Sequence, residues 1–392
     1  MRSIKSPNLP PLTKPMRILH VVGGMDRGGA ETWLMHVLRQ FKACPSNLFE
    51  MDFLTPADQD YAYTDELTAL GSSIFPCLDP TQPRLYATNF NRIIRDYGPY
   101  DLIHVHIHHF SGYVLWLAKR AGIKARIIHS HIDTSSIELT ASWQRKLYVT
   151  FMKWLIAQNA TAGLAVSRMA AADLLGAKWA QDPRWQLLYC GIDMAPFDRP
   201  IDTTNIRAEF GIPEDTLVIG HVGRFESQKN HQFLLEIAAE VAAREPNLRL
   251  LLIGIGSLRP EIEQKAAQMG LADRVIFLGA RPDVPRIMSG LMDIFLFPSL
   301  YEGLGLVLIE AQAAGLPCIF ADTVPEEADL VSSLVQRLSL AQSAAVWAET
   351  VLVTRADTSR IDSIDALEIV SQSVFNIDVN VTELTKFYQR KG

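Results

Sequence analysis

Apolar residues follow two alternating patterns from Met16 onward. Residues 16–22 form a short, nearly continuous apolar run. Gly23-Gly24 and Gly28-Gly29 follow, then Trp33, Val37 and Leu38 at helical spacing. A short apolar run bounded by glycines predicts a buried strand, and the helical period predicts the helix after it. The unit recurs, with strands predicted at 50–54, 102–107, 125–129 and 164–166 and helices between them. Between residues 193 and 215 the period is lost, and Pro196, Pro200 and Pro213 mark a connection. The alternation then restarts. Strands are predicted at 217–222, 248–253, 275–278, 294–297 and 317–320, and helices at 230–244, 261–269 and 306–314. Such alternation sets strands side by side in a parallel sheet with helices on both faces. The predicted architecture is α/β, with two doubly wound, Rossmann-like lobes at residues 16–195 and 196–374. A flexible tail at residues 1–15 precedes them, and a last segment at residues 375–392 carries a helix near 379–388.

Composition removes several function classes. The 392 residues are 48% hydrophobic and 20% charged, an ordinary balance for a globular protein. The net charge of −6 sets aside a general nucleic-acid binder, which needs a basic balance. Cys44, Cys77, Cys190 and Cys318 form no C-x-x-C pair, and are expected as buried thiols in a reducing cytosol. The basic residues among the first fifteen are not followed by an apolar stretch, so a secretory signal is not expected. No apolar run is long enough to span a bilayer. These features point to a cytoplasmic protein.

Two segments carry phosphate chemistry. In Phe297-Pro298-Ser299-Leu300-Tyr301-Glu302-Gly303-Leu304-Gly305-Leu306 a strand passes through two glycines into a helix. The free N–H groups and the dipole at such a helix start attract phosphate, and glycines let the backbone approach. Glu310 lies farther along, among Leu308, Ile309 and Ala311. A carboxylate there needs donors, which ribose hydroxyls or a nearby arginine supply equally well. The second segment, Gly220-His221-Val222-Gly223-Arg224-Phe225-Glu226-Ser227-Gln228-Lys229, also leads from strand to helix. Arg224 and Lys229 can reach a diphosphate from it, or stand as solvated surface cations. No Asp-x-Asp metal signature stands at a plausible strand end, so these cations are expected in place of a divalent ion, and no cofactor is expected.

Three further features are less specific. Gly23-Gly24-Met25-Asp26-Arg27-Gly28-Gly29 departs from the G-x-G-x-x-G of dinucleotide binders, which weakens a nicotinamide-dependent oxidoreductase. Six of the ten histidines fall between His104 and His131, and His104, His106 and His108 alternate on one predicted strand face. Zinc ligation is the sharp reading of that cluster, and scaffolding the plain one. Residues 139–157 combine Trp143, Tyr148, Phe151 and Trp154 with Arg145, Lys146 and Lys153. Such a helix either lies on an anionic membrane or is half buried in its lobe.

Glu302 and Glu310, with their flanks, resemble the E-x7-E motif of the retaining GT-B glycosyltransferases of family 4, in particular those of exopolysaccharide and capsule assembly. Gly223-Arg224 with Lys229 resembles that family's G-R-x4-K signature. The resemblance spans the chain from Met16 to the final helix and is stronger in the second lobe. It implies two lobes facing a central cleft, with the last helix returning to the first lobe. It implies transfer of a hexose-type sugar from a nucleotide-sugar, by default a UDP-sugar, to a glycan or lipid-linked acceptor with retention of configuration. With no carboxylate placed as a nucleophile, front-face attack by the acceptor hydroxyl is expected. The resemblance gives Glu302 to the donor sugar, Glu310 to the ribose, and Arg224 and Lys229 to the leaving diphosphate. Gly28, Gly29, Gly303, Leu304, Gly305 and Leu306 would line the nucleotide-sugar. His129 would orient the reaction from the cleft, with His106, His131 and Asp133 on the acceptor side. Contact with the inner face of the membrane fits a lipid-linked acceptor. A two-lobed sugar-nucleotide epimerase and a non-catalytic sugar-binding protein are the alternatives.

Overall fold

The computed structural model describes residues 14–46, 48–78, 80–200, 202–357 and 361–392. All but the last two residues of the expected tail lie outside them. The chain forms two compact units: residues up to Gly191 together with Ile377–Gly392, and Ile192–Asn376.

The first unit is built on a seven-stranded parallel sheet. Its strands are β1 (Met16–Val21), β2 (Phe49–Thr55), β3 (Ile74–Pro76), β4 (Leu102–Val105), β5 (Ala125–Ser130), β6 (Ala162–Ala165) and β7 (Trp185–Leu187), in the order β3-β2-β1-β4-β5-β6-β7. The second unit has a six-stranded parallel sheet. It holds β8 (Leu217–Val222), β9 (Leu248–Ile253), β10 (Val275–Gly279), β11 (Ile294–Phe297), β12 (Cys318–Ala321) and β13 (Val335–Leu338), in the order β10-β9-β8-β11-β12-β13. Helices cover both faces, which is why β4 and β11 are buried at every residue. The observed bounds of β8, β9 and β11 coincide with the expected ones. The edge strands β3, β7 and β13 were not expected; they have three or four residues each, too short to show a period.

The final helix, Ile377–Lys391, packs on the first unit. Trp33 Nε1–H donates to Asn380 Oδ1 at 2.6 Å, and His104 Nδ1 lies 2.7 Å from Tyr388 Oη. The chain leaves this unit at Gly191, where a Cβ would come within 2.8 Å of the Ile377 Cα. A side chain there would push the returning helix away.

Candidate functional site

In the second unit the strand order reverses between β8 and β11. Ligands of open α/β sheets bind where the order reverses, beyond the carboxyl ends of the strands. The loops leaving these two strands, residues 223–230 and 298–305, are the two segments that carry Arg224, Lys229 and Glu302. They are tied together by their backbones. Gln228 Nε2 donates to the Tyr301 carbonyl (2.9 Å), Leu300 N–H to the Gln228 carbonyl (2.8 Å) and Asn230 Nδ2 to the Pro298 carbonyl (3.2 Å).

Lys229 Nζ lies 2.5 Å from Glu302 Oε1 and 4.5 Å from the centre of the Phe297 ring. Glu302 is only 6% exposed. Before a donor arrives, Lys229 is therefore neutralised by the glutamate expected to face the sugar. The Arg224 side chain is exposed and has no ion-pair or hydrogen-bond partner among the described residues. Gly305 adopts a left-handed conformation (φ 84°) and opens the helix Leu306–Ala313 without a side-chain cap. The first N–H groups of this helix thus remain available to an anion. Gly303 and Leu304 are buried in the loop before it.

That helix carries two polar side chains of opposite character, Gln312 fully buried and Glu310 half-buried. Gln312 is saturated: Nε2 donates to the Leu308 and Ala328 carbonyls, and Oε1 accepts from Leu330 and Val331 N–H. Glu310 has no side-chain hydrogen bond among the described residues, and burial pushes its carboxyl up to about 7. Gln312 is structural, whereas Glu310 is half-buried and its carboxyl is open to a ligand.

A third loop is not marked by the sequence reading. Gly254-Ile255-Gly256-Ser257 follows β9, and a Cβ on Gly256 would sit 2.5 Å from the Phe225 carbonyl oxygen. Ser257 N–H and Oγ–H donate to the Glu226 carboxylate at 3.4 Å. Only glycine permits this approach, which fixes the backbone carrying Arg224. Paired glycines directly after an apolar strand were the available signal.

In the first unit the order reverses between β1 and β4. Gly28 caps the helix Gly29–Ala43, and a Cβ on Gly28 would meet Glu31 Oε2. Gly28 and Gly29, expected to line the nucleotide-sugar, stand at this helix start, whose first turn carries Glu31. His20, His104, His106, His129 and His131 gather beneath Trp33, which packs edge-on against His129 with ring centres 5.3 Å apart. The expectation for His129 is corrected: it has no exposed surface, and its Nε2–H donates to the Leu188 carbonyl at 3.3 Å. A cleft histidine needs a nitrogen facing the ligand, and helix packing closes this one off. The half-buried pair is His106 and His131, linked Nδ1 to Nε2 at 2.8 Å. Asp133 is buried, and its Oδ1 accepts from Ser135 N–H at 2.9 Å, a turn-forming bond. Burial, then the charge of neighbouring imidazoles, holds His104, His106 and His129 well below the ordinary imidazole value, and burial takes His20 and His131 to about 3. All five are neutral near pH 7.

Residues 202–352 match the family model described as Glycosyl transferases group 1, and residues 27–195 the one described as Glycosyltransferase Family 4. The chain is 37% identical over 377 residues to the Bacillus subtilis (strain 168) protein named "Putative glycosyltransferase EpsF", covering 95% of this chain and 96% of that one. It is 27% identical over 230 residues to the UDP-Gal:alpha-D-GlcNAc-diphosphoundecaprenol alpha-1,3-galactosyltransferase of Escherichia coli, covering 57% of this chain and 58% of that one. Among solved structures, Anabaena HepE in complex with UDP and glucose aligns over 96% of this chain and 100% of its own, with a TM-score of 0.79 at 21% identity, which establishes the fold. With glycosyltransferase models matching both units, and one relative sharing nearly the whole length, the chain belongs to the GT-B glycosyltransferases.

Proposed function

We propose that this protein transfers a hexose-type sugar from a UDP-sugar to a glycan or lipid-linked acceptor, with retention of configuration, in polysaccharide biosynthesis. The observation that carries the donor assignment is the contrast between Gln312 and Glu310 on one helix. Glu310 is half-buried and makes no side-chain hydrogen bond among the described residues, so its carboxylate is open to two ribose hydroxyls. Cleavage of the sugar C1–O bond drives negative charge onto the diphosphate. Arg224, Lys229 and the helix start at Leu306 meet that charge in fixed positions, so no divalent ion is required at the diphosphate. Lys229 turns from Glu302 toward the phosphates as charge builds, and Glu302 is released toward the sugar. The relatives support this reading: the Escherichia coli enzyme is named for UDP-Gal and a diphosphoundecaprenol-linked sugar, and HepE holds UDP and glucose.

Thermal shift with UDP-, GDP- and ADP-sugars tests the donor. A UDP-sugar at a hundred times its Kd should stabilise the chain by about 2.7 kcal/mol. Silence from all three classes would sink the donor assignment. Product analysis with and without acceptor separates transfer from epimerisation. Glu302→Ala should bind free UDP at least as well as wild type, because it frees Lys229, yet lose transfer; loss of UDP binding would reverse the roles of Glu302 and Glu310.

The first unit carries a surface suited to a lipid-linked acceptor. Along the helix Trp143–Asn159, Trp143 (69%), Leu147 (61%), Phe151 (53%) and Trp154 (55%) form one exposed stripe. The helix holds Arg145, Lys146 and Lys153 and no acid, in a chain of net charge −6. Aromatic rings with adjacent cations favour an anionic bilayer surface, and we assign this stripe to the inner face of the membrane. No helix among the described residues is long and apolar enough to cross a membrane. Wild-type protein should float with phosphatidylglycerol vesicles and not with neutral ones, and Trp143→Ser with Phe151→Ser should remain in solution. Equal flotation of wild type and variant would remove the assignment.

A further inference from the structure

We propose that His106, His129 and His131 bind a single divalent transition-metal ion of the zinc or cobalt kind at the carboxyl ends of β4 and β5. One ring nitrogen of each residue lies within 4.8 Å of the other two. The site lies in the first unit, apart from the donor chemistry above, and does not depend on it.

The tautomers carry the argument. A ring nitrogen facing a carbonyl can only donate, so His129 holds its proton on Nε2, toward the Leu188 oxygen. Its Nδ1 is then a lone pair, fully buried and without a partner. His106 Nε2 lies 3.0 Å from His20 Nδ1, and His131 Nδ1 lies 3.7 Å from Cys190 Sγ. Tautomer exchange, with no proton lost, lets His106 donate outward to His20 and His131 outward to Cys190. Both nitrogens of their mutual contact, His106 Nδ1 and His131 Nε2, then become lone pairs, in a group where one ring nitrogen of each of the three residues lies within 4.8 Å of the others. The two nitrogens sit 2.8 Å apart and share one proton. Two nitrogens on a tetrahedral ion stand about 3.3 Å apart, so the rings need to part by only about half an ångström.

Every proposed ligand thus has an outer hydrogen-bond partner: Leu188 O, His20 Nδ1 and Cys190 Sγ. Such partners fix ring orientation and raise ligand basicity in metal sites. Imidazole ligates a metal through the lone pair of its neutral form. Three neutral imidazoles suit Zn²⁺, Co²⁺, Ni²⁺ and Cu²⁺ rather than Mg²⁺ or Ca²⁺. His106 and His131 are half-buried, whereas His129 has no exposed surface.

Two neighbouring groups fit less well. His20, His104 and His106 also converge, but the outer nitrogen of His20 has no partner and two of the three residues are fully buried. His108, His109 and Asp173 converge around a carboxylate already held by Lys153 Nζ (3.0 Å) and by Thr134 N–H (2.8 Å) and Oγ–H (3.0 Å).

The test is metal binding by the full chain, stripped with EDTA and titrated with Co²⁺. Wild type should take up one ion per chain, with a visible absorption band of a tetrahedral complex and a raised thermal midpoint. His131→Gln should lose at least about a hundredfold in affinity, more than the tenfold to hundredfold typical of losing an outer partner. His131→Cys should keep the ion and add a near-ultraviolet sulfur-to-cobalt band absent from wild type, a gain that misfolding cannot mimic. His108→Gln should bind as wild type does. No saturable spectrum in wild type, or equal binding by His131→Gln, would overturn the proposal. So would loss of the ion in His104→Gln with binding kept in His131→Gln, since that places it among His20, His104 and His106.

Discussion

Lys229→Ala is expected to lower kcat by about a hundredfold or more, the usual cost of removing one preorganised charge from a transition state. The size follows from when the interaction is made. In the free protein Lys229 Nζ is spent on Glu302 at 2.5 Å. Charge on the diphosphate grows toward bond cleavage, so most of the lysine's attraction is realised there, and KM should move much less than kcat. Arg224→Ala should show a similar fall with a larger effect on KM, because Arg224 is exposed, unpaired among the described residues and ready for a ground-state diphosphate. A control is needed because Glu302 is buried. Removing one partner of a buried pair costs about 3–5 kcal/mol of stability through the charge left behind. Lys229→Met keeps the stem over Phe297, and combining it with Glu302→Gln removes both charges, so lost stability and lost chemistry separate. Turnover at the wild-type rate in folded Lys229→Met or Arg224→Ala, with a verified donor and acceptor, would refute the diphosphate assignment.

Glu310→Ala should weaken nucleotide binding at least tenfold, because charge-assisted hydrogen bonds contribute about 1.5–3 kcal/mol each and about 1.4 kcal/mol is a factor of ten. The same residue predicts a pH dependence. Burial alone raises its carboxyl from 4.5 to about 7. Ribose hydroxyls donate to the ionised form, so binding favours proton release. Affinity should therefore be full above about pH 7 and fall as the pH drops through 7, approaching tenfold per pH unit. A UDP-sugar is the better ligand here, since the terminal phosphate of UDP itself titrates near 6. Glu310→Gln should bind more weakly and with a flat profile. Stability runs the other way. A carboxyl raised in the folded state favours folding below its unfolded value and loses that contribution as pH rises through the folded one. The melting temperature of ligand-free wild type, relative to Glu310→Gln, should thus decline between about pH 4.5 and 7. Parallel pH profiles of binding for the two proteins would show that Glu310 does not touch the ribose.

Much of the frame is legible in the amino-acid sequence. The bounds of β8, β9 and β11, and the glycine turns that lead from β8 and β11 into helices, are set by local patterns: apolar runs of strand length and residues that permit tight turns. Local patterns likewise mark Arg224, Lys229, Glu302 and Glu310, because a glycine turn from strand into helix is where phosphate is met. The short edge strands β3, β7 and β13 escape, since three or four residues cannot display a period. What each marked residue does depends on partners far away in sequence. Lys229 and Glu302 are 73 positions apart and yet paired. Glu310 and Gln312 are two positions apart, and only packing saturates Gln312 and leaves Glu310 open. His129 has the sequence context of an exposed strand-end residue, but the helix carrying Trp33 lies over it. Turn chemistry and hydrophobic period are local, so the sequence by itself determined the two doubly wound units and the loops that carry their chemistry. Desolvation, tautomer choice and pairing depend on which surfaces meet, so the tertiary structure alone decided which side chains are spent on the fold and which are left for a ligand.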